Sequence, residues 1–408
     1  MAIRFYVVVV VHTDGERLPV LLDAERQPVA WINAYIIQRL RTRLSFNSLV
    51  KVARILGYFW AWACDQPDRP ENLGKPFSLQ DRLVSGNGLT HDEIEGALYP
   101  WLRRNFRAQD KVRSLVVARD TVAFRLDVVS AFITWHLQRA MTSYPVGSPE
   151  IRDIQAKLRQ SQRIFSDLGV GRRQAPVHAK PLADAALKRL FDVCEINNAE
   201  NPWKKQYRQR NRLILLLMVT LGIRRGELLK LRVSDCFLSR SIPEIHIDRS
   251  PDDQDDPRRN EPQVKTESRK LPCDAALASQ LNRYIVGERR KISGSDRSPF
   301  LFLVRTGRPM SLGRVNGIFD QIGIAHAEFS DIHPHALRST CATNYRADGL
   351  RAGLEETRLD SDMMYWFGWR SEKSIEPYVN DAIRREACQI GRTYQASLFR
   401  NHIIRTDV

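Results

Sequence analysis

The hydrophobic residues near the N-terminus are grouped as in β-strands. An apolar run at 5–11 (FYVVVVV) leads into the tetrapeptide HTDG at 12–15, and a second short apolar stretch follows at 18–22. A short apolar run that ends near an Asp-Gly pair is typical of a buried strand closed by a turn. We therefore expect residues 1–29 to contain a small β-hairpin, whose role the sequence does not reveal.

Beyond residue 30 the hydrophobic spacing becomes helical. Apolar residues at 31–40 and 49–60 recur every three or four positions, so each set shares one helix face. Further helices are predicted at 91–105, 110–143 and 148–168. The stretch 169–181 (GVGRRQAPVHAKP) has Gly, Pro and basic residues but few large apolar groups, which favours a linker between two domains.

The second half of the chain mixes helices with short strands. Residues 245–248 (IHID) alternate as in a strand, and 263–272 are expected to pair with it or to follow it. The acidic run at 252–256 (DDQDD) lacks the Gly and the terminal Glu of a calcium loop, so we expect a solvated loop. The segment 299–304 (PFLFLV) is predicted to be buried. The resulting fold class is mainly α with a small β-sheet (α+β).

Length and composition indicate two globular domains that bind a polyanion. A chain of 408 residues exceeds one ordinary core, and 43% hydrophobic with 27% charged residues is typical of a folded protein. The net charge of +16 favours nucleic acid as the partner, because each Lys or Arg that neutralises a phosphate releases counterions. A merely well-solvated basic protein is the alternative.

The cysteines and the apolar runs favour a cytoplasmic protein. Six cysteines occur without a C-x-x-C pair, so we expect free thiols in a reducing compartment and no zinc site. The run at 5–11 lacks the cleavage site of a signal peptide, and 213–221 (LILLLMVTL) is far too short to span a bilayer. No membrane association is predicted.

The segment 221–231 (LGIRRGELLKL) is predicted to join two helices around Gly222, which would close the first through a left-handed C-cap. Arg224 then lies at the turn, where its planar fork could bind two phosphate oxygens. A surface arginine, or a helix-turn-helix whose second helix enters a DNA groove, explains this segment equally well. Glu227 could hold Arg224 in place or form an ordinary helix-surface pair.

An HxxR pattern at His335 and Arg338 would place both side chains on one helix face, where the imidazole can exchange protons and the guanidinium can bind an oxygen. The pattern alone is weak, because it occurs three more times, at His136/Arg139, His246/Arg249 and His402/Arg405. Those copies are interpreted as a hydrogen-bonded core histidine, a chance pair in a strand and a pair in a tail. Although His333 lies nearby, no metal site is expected.

A lysine and a tyrosine complete the set of candidate catalytic residues. Lys265 would lie at a hairpin tip and could donate a proton to a leaving 5′ oxygen, with Lys270 as a local competitor. Tyr378 would lie just inside a helix if Ser374 is its N-cap, with Pro377 in the first turn. A tyrosine with a pKa near 10 is a poor nucleophile, and two arginines and a helix N-terminus around the phosphate would stabilise both its phenolate and the pentacoordinate transition state.

This ordered set resembles the catalytic domain of the tyrosine recombinase (phage integrase) family over residues 178–390. The family pattern is Arg, Lys, His-x-x-Arg, His or Trp, and Tyr, with the tyrosine nine positions after the His or Trp. In this chain it is matched by Arg224, Lys265, His335, Arg338, Trp369 and Tyr378. Trp369 replaces the commoner His, and the family pattern implies that its ring N–H can contact the scissile phosphate while the ring packs the site.

The resemblance implies a mechanism without metal or nucleotide cofactor. Tyr378 would attack the phosphate to form a 3′-phosphotyrosyl link and free a 5′ hydroxyl, and the 5′ hydroxyl of a partner strand would reverse the step. Arg224 and Arg338 would hold the phosphate, His335 would assist proton transfer, and Lys265 would act as general acid. The chain is thus expected to be a site-specific recombinase or integrase, borne by a mobile element.

The resemblance also implies an architecture. A helical core-binding domain (30–168), a linker (169–181), a catalytic domain (182–390) and a tail (391–408) are expected to form a clamp around double-stranded DNA. Recombinases of this family work as tetramers of the same or related chains. Arginines of the first domain are predicted to contact phosphates, namely Arg39, Arg41, Arg43, Arg103, Arg104, Arg107 and Arg113.

Two other functions remain open at this point. A type IB topoisomerase shares the covalent tyrosine chemistry, and a non-catalytic helix-turn-helix protein would use only the Arg224 segment. A metal-dependent nuclease is disfavoured, because carboxylates cluster in only one loop. The DNA site, the direction of the reaction and any accessory protein cannot be inferred from the sequence.

Overall fold

The computed structural model describes residues 5–65, 78–106, 115–169, 180–379, 390–394 and 396–397. The chain divides into two compact units, Met1–Val177 and His178–Val408. In its described part each unit is mainly helical and contains one small antiparallel sheet. The predicted fold class is therefore confirmed. Most of the predicted linker and of the predicted C-terminal tail, including His402, lies outside the described residues.

The first unit opens with the predicted hairpin. Strands β1 (Tyr6–Val11) and β2 (Arg17–Leu22) pair antiparallel, and Tyr6 lies opposite Leu22. The prediction that the first strand is buried is wrong: Val10 is 43% exposed, whereas Leu21 of β2 is fully buried. The hairpin thus contributes mainly β2 to the core of this unit.

Helices make up most of the first unit. They are α1 (Ala30–Tyr35), a π-helical segment (Ile36–Leu40), α2 (Phe46–Cys64), α3 (Leu79–Val84), a second π-helical segment (Glu93–Leu98), α4 (Tyr99–Arg103), α5 (Arg119–Met141) and α6 (Pro149–Gly169). Helix α5 packs against α2, α3, α4 and α6. The helix predicted at 110–143 begins only at Arg119, because Val116 bridges to Arg104 in extended conformation.

His136 of α5 lies in the core of the first unit, at 9% exposure, among the rings of Trp31, Phe132 and Trp135. The prediction that it is fully hydrogen-bonded is wrong, since its Nε2 has no hydrogen-bond partner. Desolvation, and after it the charge of Arg139, lowers the pKa of His136 to about 4. The imidazole is therefore neutral at neutral pH.

The second unit combines helices with a three-stranded sheet. Its elements are α7 (Asp184–Val193), α8 (Arg208–Thr220), α9 (Arg225–Lys230), β3 (Cys236–Phe237), β4 (Glu244–Ile247), β5 (Arg269–Pro272), α10 (Ala275–Arg283), α11 (Leu312–Ala325), α12 (Pro334–Arg351) and α13 (Glu356–Phe367). Short 3₁₀ or π-helical turns lie at Lys205–Tyr207, Val233–Asp235, Tyr284–Arg289, Ala327–Phe329 and Glu372–Ser374. Crossing a membrane would need a longer or more apolar helix than any in the described ranges.

The sheet and the buried segment follow the sequence pattern. Strand β4 pairs antiparallel with β3 and β5, and Ile245 lies opposite Leu271. Of the region 263–272, only Arg269–Pro272 is strand. Within the segment 299–304, residues 300–303 are buried as predicted, with Phe300 at 1% exposure.

Gly222 sets the geometry of the site. It follows α8 with φ of +62°, a left-handed conformation that favours glycine. A Cβ at this position would lie 2.3 Å from the Phe367 ring. The chain therefore turns tightly here from α8 into α9, as predicted, and brings Arg224 to the start of α9.

Candidate active site

Arg224 is half-buried, and one nitrogen of its guanidinium lacks a hydrogen-bond partner. Its backbone N–H donates to Glu227 Oε2 at 2.9 Å, which fixes the residue at the start of α9. Its Nη1 is buried, lies 3.8 Å from Glu227 Oε1 and has no hydrogen-bond partner. Desolvation lowers the pKa of Arg224, which Glu227 partly opposes. A buried guanidinium N–H without an acceptor is suited to a phosphate oxygen.

Glu227 is the buried carboxylate that organises the site. It is 1% exposed, accepts a hydrogen bond from Thr266 Oγ1, and pairs with Arg269 Nη2 at 3.0 Å. Desolvation raises the pKa of Glu227, but the charges of Arg269 and Arg338 outweigh it, so the net pKa is lowered. Glu227 therefore holds Arg224 through the main-chain N–H of Arg224, whereas the closest ion pair of Glu227 is with Arg269.

Arg269 and Thr266 were missed by the sequence analysis. A signal for Arg269 existed, because it lies two residues before the buried Leu271 in β5 and therefore on the same strand face. Arg269 is 5% exposed, and its Nε donates to the Trp366 carbonyl at 2.7 Å. It thereby connects Glu227 to the end of α13.

Arg338 is buried at the centre of the cluster, at 2% exposure on α12. It donates to the carbonyl of Gly222 and, at 2.8 Å, to that of Phe367. Its guanidinium also lies 5.6 Å from the centroid of the Trp369 ring. Burial, and after it the charge of Arg224, lowers the pKa of Arg338 to about 9, so the residue is charged at neutral pH.

His335 lies on α12 one turn before Arg338, as the HxxR spacing predicts. Part of its surface is exposed and part is buried, and the desolvation of the buried part, followed by the charges of Arg338 and Arg224, lowers the pKa of His335. A lowered pKa keeps the imidazole neutral at neutral pH. His335 is therefore able to accept a proton.

Tyr378 lies in a helical turn at 376–379. Val379 N–H donates to the Ile375 carbonyl, so Ile375 is the N-cap, and the predicted cap at Ser374 is wrong by one residue because Ser374 ends a 3₁₀ turn. Desolvation raises the pKa of Tyr378. The charges of Arg338 and Arg224 and a hydrogen bond with Ser339 lower this pKa, but by less than desolvation raises it.

The raised pKa of Tyr378 describes the site without DNA. The charges of Arg338 and Arg224 favour the phenolate, but desolvation outweighs them. The phenol is therefore protonated at neutral pH and needs a proton acceptor before it can attack. Ser339, the neighbour of Arg338 on α12, was not identified from the sequence.

Trp369 packs beside the tyrosine. It is 7% exposed and contacts two rings, with centroid distances of 4.8 Å to Phe367 and 5.3 Å to Tyr378. Both contacts are stacked, with planes inclined by 22° and 18°. The packing role that the resemblance implied for this residue is thus present in the structure.

Lys265 is the predicted site residue that the structure does not bring into contact with the other five, as far as the described contacts extend. It lies in the long loop between β4 and β5, not at the tip of a tight hairpin, and its side chain is exposed. Its neighbours Val264 and Thr266 are buried. Lys270, the competitor, is exposed on β5.

The prediction that the acidic run 252–256 is a solvated loop is wrong in part, because Asp255 is exposed but the side chains of Asp253 and Asp256 are buried. Asp256 and Glu261 are 4% and 0% exposed, and with Asp253 they bring carboxylate oxygens within 4.8 Å of one another. The ammonium of Lys230 lies among them, 2.9 Å from Asp253 Oδ2 and 3.7 Å from Asp256 Oδ2. The expectation failed because these acids neutralise a buried lysine at the end of α9.

The predicted DNA-contacting arginines are mostly at the surface of the first unit. Arg39, Arg43, Arg103 and Arg104 are exposed, whereas Arg41 is paired with Glu16. The remaining two, Arg107 and Arg113, lie outside the described residues. Their contact with DNA remains a prediction.

Comparison with known proteins finds a family match within the second unit. Residues 181–382 match the model of the phage integrase family. Tyrosine recombinase XerC of Bacillus pumilus (strain SAFR-032) is 28% identical over 192 residues, covering 45% of this chain and 55% of the relative. Tyrosine recombinase XerC of Bacillus licheniformis (strain ATCC 14580) is 25% identical over 193 residues, covering 46% and 56%.

The match is partial in length. The chain spans about half the length of these curated relatives. A solved structure of the Tn1549 transposon integrase in complex with circular intermediate DNA is 18% identical, with a TM-score of 0.48, over 88% of this chain and 98% of that one. Through residues 181–382, the chain belongs to the phage integrase family.

Proposed function

We propose that the chain is a site-specific DNA recombinase or integrase, carried by a mobile element, that cuts and rejoins strands through a 3′-phosphotyrosyl intermediate. The observation that carries the proposal is the unpartnered Nη1 of Arg224, in a cluster where the charges of Arg224 and Arg338 both act on Tyr378. A phosphodiester would supply the acceptor that Arg224 lacks and would lie beside the phenol.

The first step would form one bond and break another at the same phosphorus. The Tyr378 oxygen attacks, the P–O5′ bond breaks, and the phenolic proton passes to the neutral imidazole of His335. Lys265 delivers a proton to the departing 5′ oxygen. Arg224 and Arg338 stabilise the charge that develops on the non-bridging oxygens.

Rejoining would reverse these transfers with another strand. The incoming 5′ hydroxyl gives its proton to Lys265, attacks phosphorus and releases Tyr378, which regains a proton. Because the phosphotyrosyl bond conserves the energy of the phosphodiester, the residues of this chain suffice for both steps.

The proposed partner is double-stranded DNA, to which both domains, 30–168 and 182–390, would bind, with residues 169–181 as the linker. The net charge of +16 supports a polyanionic partner. Recombination requires two duplexes and hence four protomers, so we propose a tetramer of this chain alone or with related recombinases.

A helix-turn-helix binder fits the structure less well. Helix α9 is six residues long, and four of them are buried: Glu227, Leu228, Leu229 and Lys230. A recognition helix must expose its outer face to the base edges of the groove. Helix α9 instead supports the cluster around Arg224.

The test is to recover DNA covalently attached to the protein in its host cells and to sequence it. Adducts at one short, roughly palindromic site, absent from Tyr378→Phe, are expected. Tyr365→Phe is the matched control, because Tyr365 is 58% exposed on α13. Scattered adducts would instead indicate a topoisomerase, and equal DNA binding without adducts would leave a DNA-binding protein.

A further inference from the structure

Helix α9 holds the Lys265 loop on both sides of Lys265. Upstream, Glu261 accepts a hydrogen bond from Lys230 Nζ at the C-terminal end of α9. Downstream, Thr266 Oγ1 donates to Glu227 in the first turn of the same helix. Only the side chain of Lys265 is exposed between these buried attachments.

The upstream attachment is a buried ion cluster with several connections. Arg258 pairs with both oxygens of Asp256, at 2.8 and 2.7 Å, and its Nη2 donates to the Leu229 carbonyl at 3.0 Å. Arg232 binds both oxygens of Asp253 at 2.9 Å. Buried polar networks whose members are paired hold one conformation. The cluster thus ties the first half of the loop to the end of α9.

The backbone also approaches α9 closely. A Cβ at Gly226 would lie 2.4 Å from the Gln263 carbonyl oxygen, two residues before Lys265. Because the contact is with backbone, a side chain at 226 would have to displace the loop. The loop therefore packs directly on α9, whose N-cap is Arg224.

We propose that Lys230 and its buried carboxylates position Lys265, so that α9 sets the placement of both the phosphate-binding Arg224 and the proton-donating lysine. Lys230 touches neither DNA nor the reacting atoms in this account; it acts through the loop. The proposal rests on the proposed function, in which Lys265 protonates the leaving oxygen.

Two variants displace the loop by different means. Gly226→Ala introduces the clash with Gln263 while favouring the helical state of α9. Lys230→Met removes the ammonium from beside three carboxylates, and the loss of this buried counter-charge can unfold the domain, so it is the secondary variant. The matched control is Gly317→Ala in α11, where a Cβ meets nothing within 4 Å.

The readout is single-turnover formation of the covalent adduct on duplex DNA carrying the recovered site. One substrate has the natural 5′-bridging oxygen and the other has sulfur in its place. A thiol has a pKa of about 8.5, so the thiolate departs without a proton. Sulfur therefore rescues a lost proton donor but not a displaced Arg224.

Gly226→Ala is expected to cleave the oxygen substrate about 10²-fold more slowly and the sulfur substrate at the wild-type rate, like Lys265→Ala. Gly317→Ala should match the wild type on both. Wild-type rates of Gly226→Ala on the oxygen substrate, or a defect that sulfur does not rescue, would overturn the proposal.

Amide hydrogen exchange of residues 249–268 in the DNA-free protein separates this proposal from the proposed function. The amide of Asp253, which donates to Glu261 at 3.2 Å, should exchange slowly in the wild type and faster in Lys230→Met. Fast exchange in the wild type would overturn the positioning role. Slow exchange without any DNA adduct would instead reject the recombinase function.

Discussion

The indole of Trp369 stacks on the phenol of Tyr378, with ring centroids 5.3 Å apart and planes inclined by 18°. Phe367 also stacks on the indole. The ring that is proposed to attack phosphorus is therefore oriented by buried aromatic packing. This arrangement explains how a tryptophan can stand where the family more often has a histidine.

The stacking predicts different effects for two replacements of Trp369. Trp369→Ala should lower the free energy of unfolding by about 3–5 kcal/mol, because it leaves a cavity beneath Tyr378. Trp369→Phe keeps an aromatic ring and should lose less stability. Denaturant unfolding measures both, and equal losses would show that the ring does not support the site.

Trp369→Phe also separates packing from hydrogen bonding. If packing is the main role, the variant should retain most of the covalent DNA adduct that the wild type forms. If an indole N–H bond to the phosphate is essential, the adduct should disappear while stability is retained.

Glu227→Gln is predicted to destabilise the second unit by about 3–5 kcal/mol, because Arg269 would remain buried without a counter-charge. Its matched control is Glu267→Gln, since Glu267 pairs with Arg370 at the surface, with side-chain exposures of 55% and 50%. The control should change stability by less than about 1 kcal/mol. Similar losses in urea unfolding would contradict the assigned importance of the buried carboxylate.

The lowered pKa of His335 predicts the acid limb of the pH profile. Desolvation and the nearby arginines favour the neutral imidazole, so protonation begins only below its ordinary value near 6.5. If His335 is the general base, the second-order rate constant of adduct formation should not change through neutral pH. It should fall at lower pH, where the imidazole becomes protonated. An acid limb above about pH 6.5 would be inconsistent with this environment.

His335→Gln completes that test. The variant should form adducts about 10²-fold to 10⁴-fold more slowly at neutral pH and should lose the acid limb. An unchanged limb in the variant would assign it to another group.

Much of the fold follows from local pattern. The hairpin turn, the tight turn at Gly222 and the buried segment 299–304 each depend on neighbouring residues, so the sequence predicts them. The HxxR spacing likewise places His335 and Arg338 one turn apart on α12.

What the sequence did not predict depends on distant partners. The acidic run at 252–256 was predicted to be solvated because the sequence does not show that the fold places Lys230 beside Asp253. Similarly, Arg269 and Ser339 gain their roles from Glu227 and Tyr378, which lie far away in the chain. The pKa of Tyr378 depends on its desolvation in the folded site, a quantity that no spacing reveals.

The central claim is that Tyr378 forms a covalent bond with DNA. The most direct measurement is to trap the protein on its recovered DNA site, digest both, and identify by mass spectrometry the peptide that carries a nucleotide. The account predicts a 3′-phosphate ester on Tyr378, absent from Tyr378→Phe and retained in Tyr365→Phe. A nucleotide on another residue, or an adduct that survives Tyr378→Phe, would contradict it.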